Sequence, residues 1–108
     1  MEINNKEYVN NLIDNEVAVI VYFYNNNCAP CISLRPKVEK LVTDSFPQIK
    51  LVFVNSEMYP DIPATYSVFS NPTLIIFLEG REYRRESKYI SIPQLSEAIE
   101  RPYKMIFE

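Results

Sequence analysis

Two cysteines separated by two residues are the side chains of this sequence best suited to covalent chemistry. The segment reads Cys28-Ala29-Pro30-Cys31, and the 108 residues contain no other cysteine. Residues three apart on a helical turn lie about 5–6 Å from each other, within the Cα separation that a disulfide bond spans. This spacing favours a pair that alternates between dithiol and disulfide.

The position of the pair in the chain predicts different roles for the two thiols. Cys28 follows an apolar run and opens a predicted helix, where unpaired backbone N–H groups and the helix dipole stabilise an anion. Such a site lowers the pKa of a cysteine thiol, so Cys28 is the expected nucleophile. Cys31 lies one turn inside the helix and is the expected buried, resolving thiol. Pro30 fixes the turn between them and has no backbone donor to leave unpaired.

Two other interpretations of the cysteine pair remain open at this point. A Cys-x-x-Cys segment is half of many zinc sites, but a zinc site here would need a dimer or carboxylate ligands, because histidine is absent. Free cysteines are also commonly buried as small apolar side chains. The lack of further cysteines and the placement between a strand and a helix favour redox chemistry, with no metal and no organic cofactor.

The elements that must position the pair follow from the apolar pattern. Val17 to Tyr24 predicts a strand buried on both faces, and Asn25 to Asn27 end it. Helices are predicted at about 6–14, with Asn4 or Asn5 as the N-cap, at 29–44, with a kink at Pro36, and from Ser91 to an end or bend at Pro102. A helical turn is predicted at 61–66, and the remaining strands are predicted at 51–55, 73–78 and 82–87. Parallel strands joined through helices and a final hairpin at Glu79-Gly80 predict one α/β domain, residues 1–108, with helices on both faces of a mixed sheet.

Composition excludes several classes of function. With no histidine and a single glycine, Gly80, the chain lacks the residues for Ser-His-Asp catalysis and for a glycine-rich phosphate loop. A net charge of −3 argues against nucleic-acid binding. No apolar run approaches the ~18 residues that a membrane span needs. Because the first residues lack the pattern of a secretory signal, a cytoplasmic location is expected.

Three segments together point to a known family. They are Cys28-Ala29-Pro30-Cys31, the proline Pro36 five residues later, and Asn71-Pro72-Thr73 at the start of a predicted strand. With these segments the chain resembles the thioredoxin family from its first helix to about Ile99, with alanine where the active-site motif often has glycine. The resemblance implies a thioredoxin-like three-layer α/β/α sandwich and a thiol–disulfide oxidoreductase of the protein-disulfide reductase type. It also implies electron transport from a separate reductase to protein disulfide substrates.

The resemblance further implies a substrate surface around the cysteines. It predicts a cis Asn71–Pro72 bond, in a loop that packs beside the cysteines and pairs with the substrate backbone. The substrate-binding residues expected from the family are Asn27, Ala29 and Pro30 at the cysteines, Asn71 and Pro72 in this loop, and Lys88, which takes the place of a glycine that normally keeps the groove open.

The sequence departs from the family at the residues expected to tune the site. Asn27 and Tyr24 stand where tryptophan is usual in the family. Tyr22 corresponds to a buried aspartate, and Phe53 corresponds to the lysine that pairs with it. Both charges are absent together, and a lone buried charge would cost several kcal/mol. Asn27, Lys88 and the missing buried ion pair support an alternative function, a protein-binding module on the same fold with vestigial or regulatory redox activity.

Two surface features have competing interpretations. The basic residues Arg81, Arg84, Arg85 and Lys88 either discourage sheet-to-sheet aggregation at an edge strand or dock an acidic partner protein. The apolar tail after Pro102 either closes over the domain or joins a dimer contact. A monomer is the expected state.

Overall fold

Strands and helices alternate along the chain up to a final hairpin of two strands, which the last helix follows. The computed structural model describes residues 1–108. In chain order the elements are β1 (Glu2–Ile3), α1 (Lys6–Asn15), β2 (Ala18–Tyr24), α2 (Ala29–Ser45), β3 (Lys50–Asn55), α3 (Asp61–Thr65), β4 (Thr73–Leu78), β5 (Arg81–Ser87) and α4 (Ile92–Phe107). The strands form one mixed sheet in the order β1-β3-β2-β4-β5, in which β1, β3 and β2 are parallel while β4 and β5 are antiparallel to their neighbours.

The central strand β2 separates two apolar cores. Ala18, Ile20 and Tyr22 face the core that α2 and α4 cover, while the residues between them face the core that α1 and α3 cover. Every residue of β2 from Ala18 to Phe23 is at most 2% exposed, which explains its unbroken apolar run. The architecture is the predicted three-layer α/β/α sandwich, and β2 delivers the chain directly to Cys28.

The last helix does not end at Pro102. It continues to Phe107 because the residues after the proline pack against the domain. The ring of Tyr103 contacts Phe46 edge-on at a centroid distance of 5.1 Å and lies 4.8 Å from the ring of Phe107. The apolar tail therefore closes over the core that α2 covers. No helix of the chain combines the length and the apolar character needed to cross a membrane.

The short first strand was not predicted, and it brings a carboxylate to the helix that follows the cysteines. Glu2 and Ile3 pair in parallel with Phe53 and Val54, and the N–H of Phe53 donates to the carbonyl of Met1 at 2.8 Å. Ile3 is buried at 3% exposure, whereas the Glu2 side chain reaches across the end of the sheet to Arg35 of α2.

Candidate active site

The two cysteines lie at the amino end of α2. Cys28 is the N-cap residue, and its Sγ accepts a hydrogen bond from the backbone N–H of Cys31 at 3.2 Å. The residues form a disulfide with a Cα separation of 5.3 Å, within the range expected from their spacing. Cys28 is partly exposed, whereas Cys31 is 1% exposed. Cys28 is therefore open to solvent, while Cys31 is covered by the protein.

Tyr22 fixes the first turn of α2 to the sheet. Its side chain is fully buried, and its hydroxyl donates to the backbone carbonyl of Cys31 at 2.8 Å. Burial raises the pKa of Tyr22 to about 12, although the positive charge of Arg35 opposes the rise. The phenol is therefore protonated at neutral pH, where it is a hydrogen-bond donor and cannot take a proton from a thiol.

The positively charged side chain beside Tyr22 belongs to α2 and not to the sheet. The rings of Tyr22 and Phe53 meet edge-on at 5.6 Å, and the guanidinium of Arg35 lies 3.8 Å from the centroid of Phe53. The same guanidinium lies 5.2 Å from the ring of Tyr24 and 2.7 Å from the carboxylate of Glu2, which also accepts a hydrogen bond from the Tyr24 hydroxyl. Arg35 therefore stacks on two of the three predicted tuning residues, Tyr24 and Phe53, and Phe53 packs against the third, Tyr22.

Sequence reasoning missed Arg35 and Glu2. The spacing of Arg35 from Cys31, four positions along one helix, could have placed it on the same helical face. No local pattern could have found Glu2, because its contact with Arg35 joins residues 33 positions apart.

The cis-proline loop is tied to Lys88. The Asn71–Pro72 peptide bond is cis, and the Asn71 side chain accepts a hydrogen bond from the Ser56 hydroxyl at 3.1 Å. The carbonyl of Pro72 accepts a hydrogen bond from the backbone N–H of Lys88 at 2.8 Å. Lys88 has a φ of 63°, in the left-handed region that favours glycine. This conformation agrees with the glycine that the family resemblance expects at the position.

The other predicted contact residues are on the surface around Cys28. Asn27, Ala29 and Pro30 are exposed, and the Asn27 N–H donates to the side chain of Asn25 at 2.9 Å. Pro30 shares a groove with Lys88, so the structure brings these two predicted residues together. No group of three or more histidine, cysteine, aspartate or glutamate side chains is arranged around a common metal position.

Two members of the basic cluster are already bound to carboxylates. Arg84 pairs with Glu86, and Arg85 pairs with Glu82 at 2.8 Å. Arg85 also donates to the carbonyls of Tyr66 and Ser67. These contacts fit charges that protect an edge strand better than a free patch for docking an acidic protein.

Comparison with known proteins decides the family. The thioredoxin family model matches residues 1–101. The chain belongs to the thioredoxin family. Among curated thioredoxins and their relatives, Thioredoxin-like protein YdfQ of Bacillus subtilis is 29% identical over 97 residues, which are 90% of this chain and 86% of that protein. Thioredoxin 1 of Nostoc sp. is 27% identical over 100 residues, 93% of this chain and 94% of its own.

Solved thioredoxins share the fold. The crystal structure of thioredoxin from Trypanosoma brucei brucei matches this chain with a TM-score of 0.85 at 21% identity, over 96% of this chain and 90% of that one. Membership of the thioredoxin family and the Cys28–Cys31 disulfide together identify this protein as a thiol–disulfide oxidoreductase.

Proposed function

We propose that this thioredoxin-family protein reduces or exchanges disulfide bonds in protein substrates and receives its electrons from a separate reductase. The unequal exposure of the two cysteines supports this proposal most strongly. Cys28 is partly open to solvent at the N-cap of α2, and Cys31 is buried behind it at 1% exposure. A substrate disulfide can therefore reach one sulfur first.

The reaction consists of two thiol–disulfide exchanges. In the dithiol form, the Cys28 thiolate attacks one sulfur of the substrate disulfide. A bond forms between Cys28 and that sulfur as the substrate disulfide breaks. The released substrate thiolate then takes up a proton. The Cys31 thiolate then attacks the Cys28 Sγ. This step releases the second substrate thiolate, which is protonated, and forms the Cys28–Cys31 disulfide seen in the structure. Two electrons pass from the protein to the substrate, and the reductase restores them.

The backbone at the start of α2 supports the first exchange. The Sγ of Cys28 already accepts the N–H of Cys31, and the same donor and the helix dipole stabilise a thiolate at this position. Burial of Cys31 disfavours its thiolate, so the second exchange depends on a proton leaving a desolvated thiol. Neither Tyr22 nor Phe53 supplies a carboxylate or an amine to assist that step.

We further infer that the exposed residues around the disulfide form the substrate surface. Asn27, Ala29 and Pro30 flank the reactive sulfur, and the Asn71–Pro72 loop is joined to Lys88 through its carbonyl. A single domain of residues 1–108, a monomeric state, a cytoplasmic location and a role in electron transport stay predictions from the sequence.

Trapping with single-cysteine variants tests the roles of the two thiols. Cys31→Ser is expected to accumulate mixed disulfides with substrate proteins through Cys28, because the resolving thiol is gone. Cys28→Ser is the matched control and is expected to trap few partners, because its remaining sulfur is covered. Counting disulfide-linked adducts on non-reducing gels measures both. Equal trapping by the two variants would contradict the assignment.

The absent carboxylate base supports a second candidate, the binding module with vestigial or regulatory redox activity. Reduction of insulin by dithiothreitol separates the two functions. An active reductase accelerates the reaction over dithiothreitol alone, and the acceleration is lost in Cys28→Ser. No acceleration by the unmodified protein would favour the binding module.

A further inference from the structure

A groove beside the disulfide is lined by two lysines and by no acidic residue. It has a volume of about 380 Å³ and lies between the amino-terminal half of α2 and the loop that joins β5 to α4. Pro30 and Lys37 contribute from the helix, and Lys88 and Tyr89 contribute from the loop. Because Pro30 lies between the two cysteines, the groove begins at the reactive pair.

The positive charge of the groove is not neutralised by the protein. Lys37 and Lys88 are exposed, and neither takes part in the ion pairs of the chain. By contrast, Lys40 on the same helix is paired with Asp44 at 2.8 Å. The net charge of the whole chain is −3, so this local excess of positive charge is opposite in sign to the charge of the chain as a whole.

The backbone conformation of Lys88, in the loop between β5 and α4, is a second feature of the groove. Lys88 holds a φ of 63°, which is unfavourable for a residue with a β-carbon and would be relaxed by glycine. The chain therefore keeps a lysine here in spite of local strain. Tyr89, which follows it, is 94% exposed and presents an aromatic surface at the same groove. Exposed aromatic side chains are frequent anchors at protein interfaces.

We propose that this groove binds an acidic segment of the substrate protein, whose carboxylates contact Lys37 and Lys88 while Tyr89 packs against its apolar part. This inference rests on the proposed exchange of protein disulfides, since a segment linked to Cys28 enters the groove past Pro30. The groove thereby selects substrates whose disulfide has aspartate or glutamate nearby. Selection by exposed charges acts mainly on the rate of association.

Two synthetic disulfide peptides provide the test. They are identical except that one has three glutamates beside its cysteine and the other has three glutamines. At low salt we expect the reduced protein to react faster with the glutamate peptide than with the glutamine peptide. The expected ratio is about fivefold for each lysine contacted, because the attraction between two charges ~4 Å apart in water changes a rate by about that factor. In 1 M salt, where the Debye length is ~3 Å, the two rates are expected to converge.

Charge-removing variants show whether the groove is responsible. Lys37→Gln with Lys88→Asn removes both charges, and asparagine tolerates the left-handed backbone at position 88. This double variant is expected to lose the preference, so that its rates with the two peptides become equal. Lys6→Gln, on the helix that covers the opposite face of the sheet, is the charge control and is expected to keep the preference. Urea unfolding verifies that all variants are folded.

A binding measurement separates this inference from the proposed function. The same peptides with serine in place of cysteine are titrated into the oxidised protein, and amide NMR signals are followed. Larger shifts with the glutamate peptide at Lys37, Lys88 and Tyr89 would support binding in the groove, whether or not the disulfide peptides are reduced. Failure of the protein to reduce either disulfide peptide would count against the exchange reaction alone. Equal rates and equal shifts with both peptides, or a preference that survives in the double variant, would overturn the inference.

Discussion

Removal of one hydroxyl group tests how α2 is held against the sheet. In Tyr22→Phe the ring remains, but the carbonyl of Cys31 loses the donor that now lies 2.8 Å away in a fully buried position. A hydrogen bond contributes about 1 kcal/mol to stability, and an acceptor left without its partner in the core raises the cost to as much as ~3 kcal/mol. We expect the free energy of unfolding at pH 7 to fall by about 1–2 kcal/mol.

The same variant is expected to respond differently to alkaline pH. The pKa of Tyr22 is raised by burial to about 12, whereas in the unfolded chain it returns to about 10. Between these values the folded state keeps the proton and the unfolded state loses it, so the stability of the unmodified protein falls as pH rises through this window. One pKa unit is ~1.4 kcal/mol, which makes the full loss roughly 2–3 kcal/mol. Because Tyr22→Phe lacks this titration, its disadvantage is expected to shrink to about zero near pH 11.

Urea unfolding of the oxidised protein at pH 7 and pH 11 measures both effects. Tyr83→Phe is the matched control, since the Tyr83 hydroxyl also donates to a helix carbonyl, that of Ala98 at 3.3 Å, but from an exposed side chain. It is expected to cost less than about 0.5 kcal/mol at either pH. An equal cost for the two variants, or a cost for Tyr22→Phe that is the same at pH 7 and pH 11, would refute this account of Tyr22.

Three further predictions concern the reaction rate and the packing. Release of a mixed disulfide is expected to accelerate as pH rises above 8, because Tyr22 offers no base to the resolving thiol. Stopped-flow measurement of mixed-disulfide decay tests this, and the double variant Tyr22→Asp with Phe53→Lys is expected to show a weaker pH dependence. A fast, pH-independent decay in the unmodified protein would contradict the prediction. Glu82→Gln is expected to cost less than about 1 kcal/mol at pH 7, because the pKa of Glu82 is lowered by its hydrogen bond to Arg85. That cost is present while the carboxylate is charged and disappears as pH falls through the lowered pKa, so a constant difference in thermal unfolding from pH 7 to pH 3 would count against the pair. Tyr103→Ala is expected to destabilise the fold by about 3 kcal/mol, as measured by urea unfolding, and an unchanged midpoint would show that the end of α4 is not packed as described.

The sequence predicts best those features that depend on neighbouring residues. The apolar run of β2 and the cysteine pair at the start of α2 lie where their patterns placed them, because burial on both faces and helix capping are local requirements. The cap of α1 by Asn5 is likewise local, and its side chain accepts the N–H of Tyr8 at 2.7 Å.

Contacts between distant residues explain what the sequence did not predict. A proline inside a helix costs about 3 kcal/mol and predicts an end or a bend at Pro102, but burial of Tyr103 against Phe46 favours continuing the helix. The two residues of β1 are too few to show a period, and they form a strand because β3 offers an edge. The position of Arg35 over Phe53 depends on this strand as well, since Glu2 pairs with the guanidinium at 2.7 Å.

The tyrosine beneath the disulfide has a consequence for spectroscopy of the thiols. The chain has no histidine, and the pKa of Tyr22 is raised to about 12, so neither an imidazole nor this phenol changes charge alongside the cysteines. Apart from the terminal amine, the two thiols are the only groups of the sequence whose ordinary pKa values lie between 5 and 9. Below about pH 8, before tyrosine with its ordinary pKa near 10 begins to ionise and absorb, ultraviolet titration of the reduced protein therefore reports on Cys28 and Cys31, without the coupled carboxylate that complicates such curves where a buried aspartate is present.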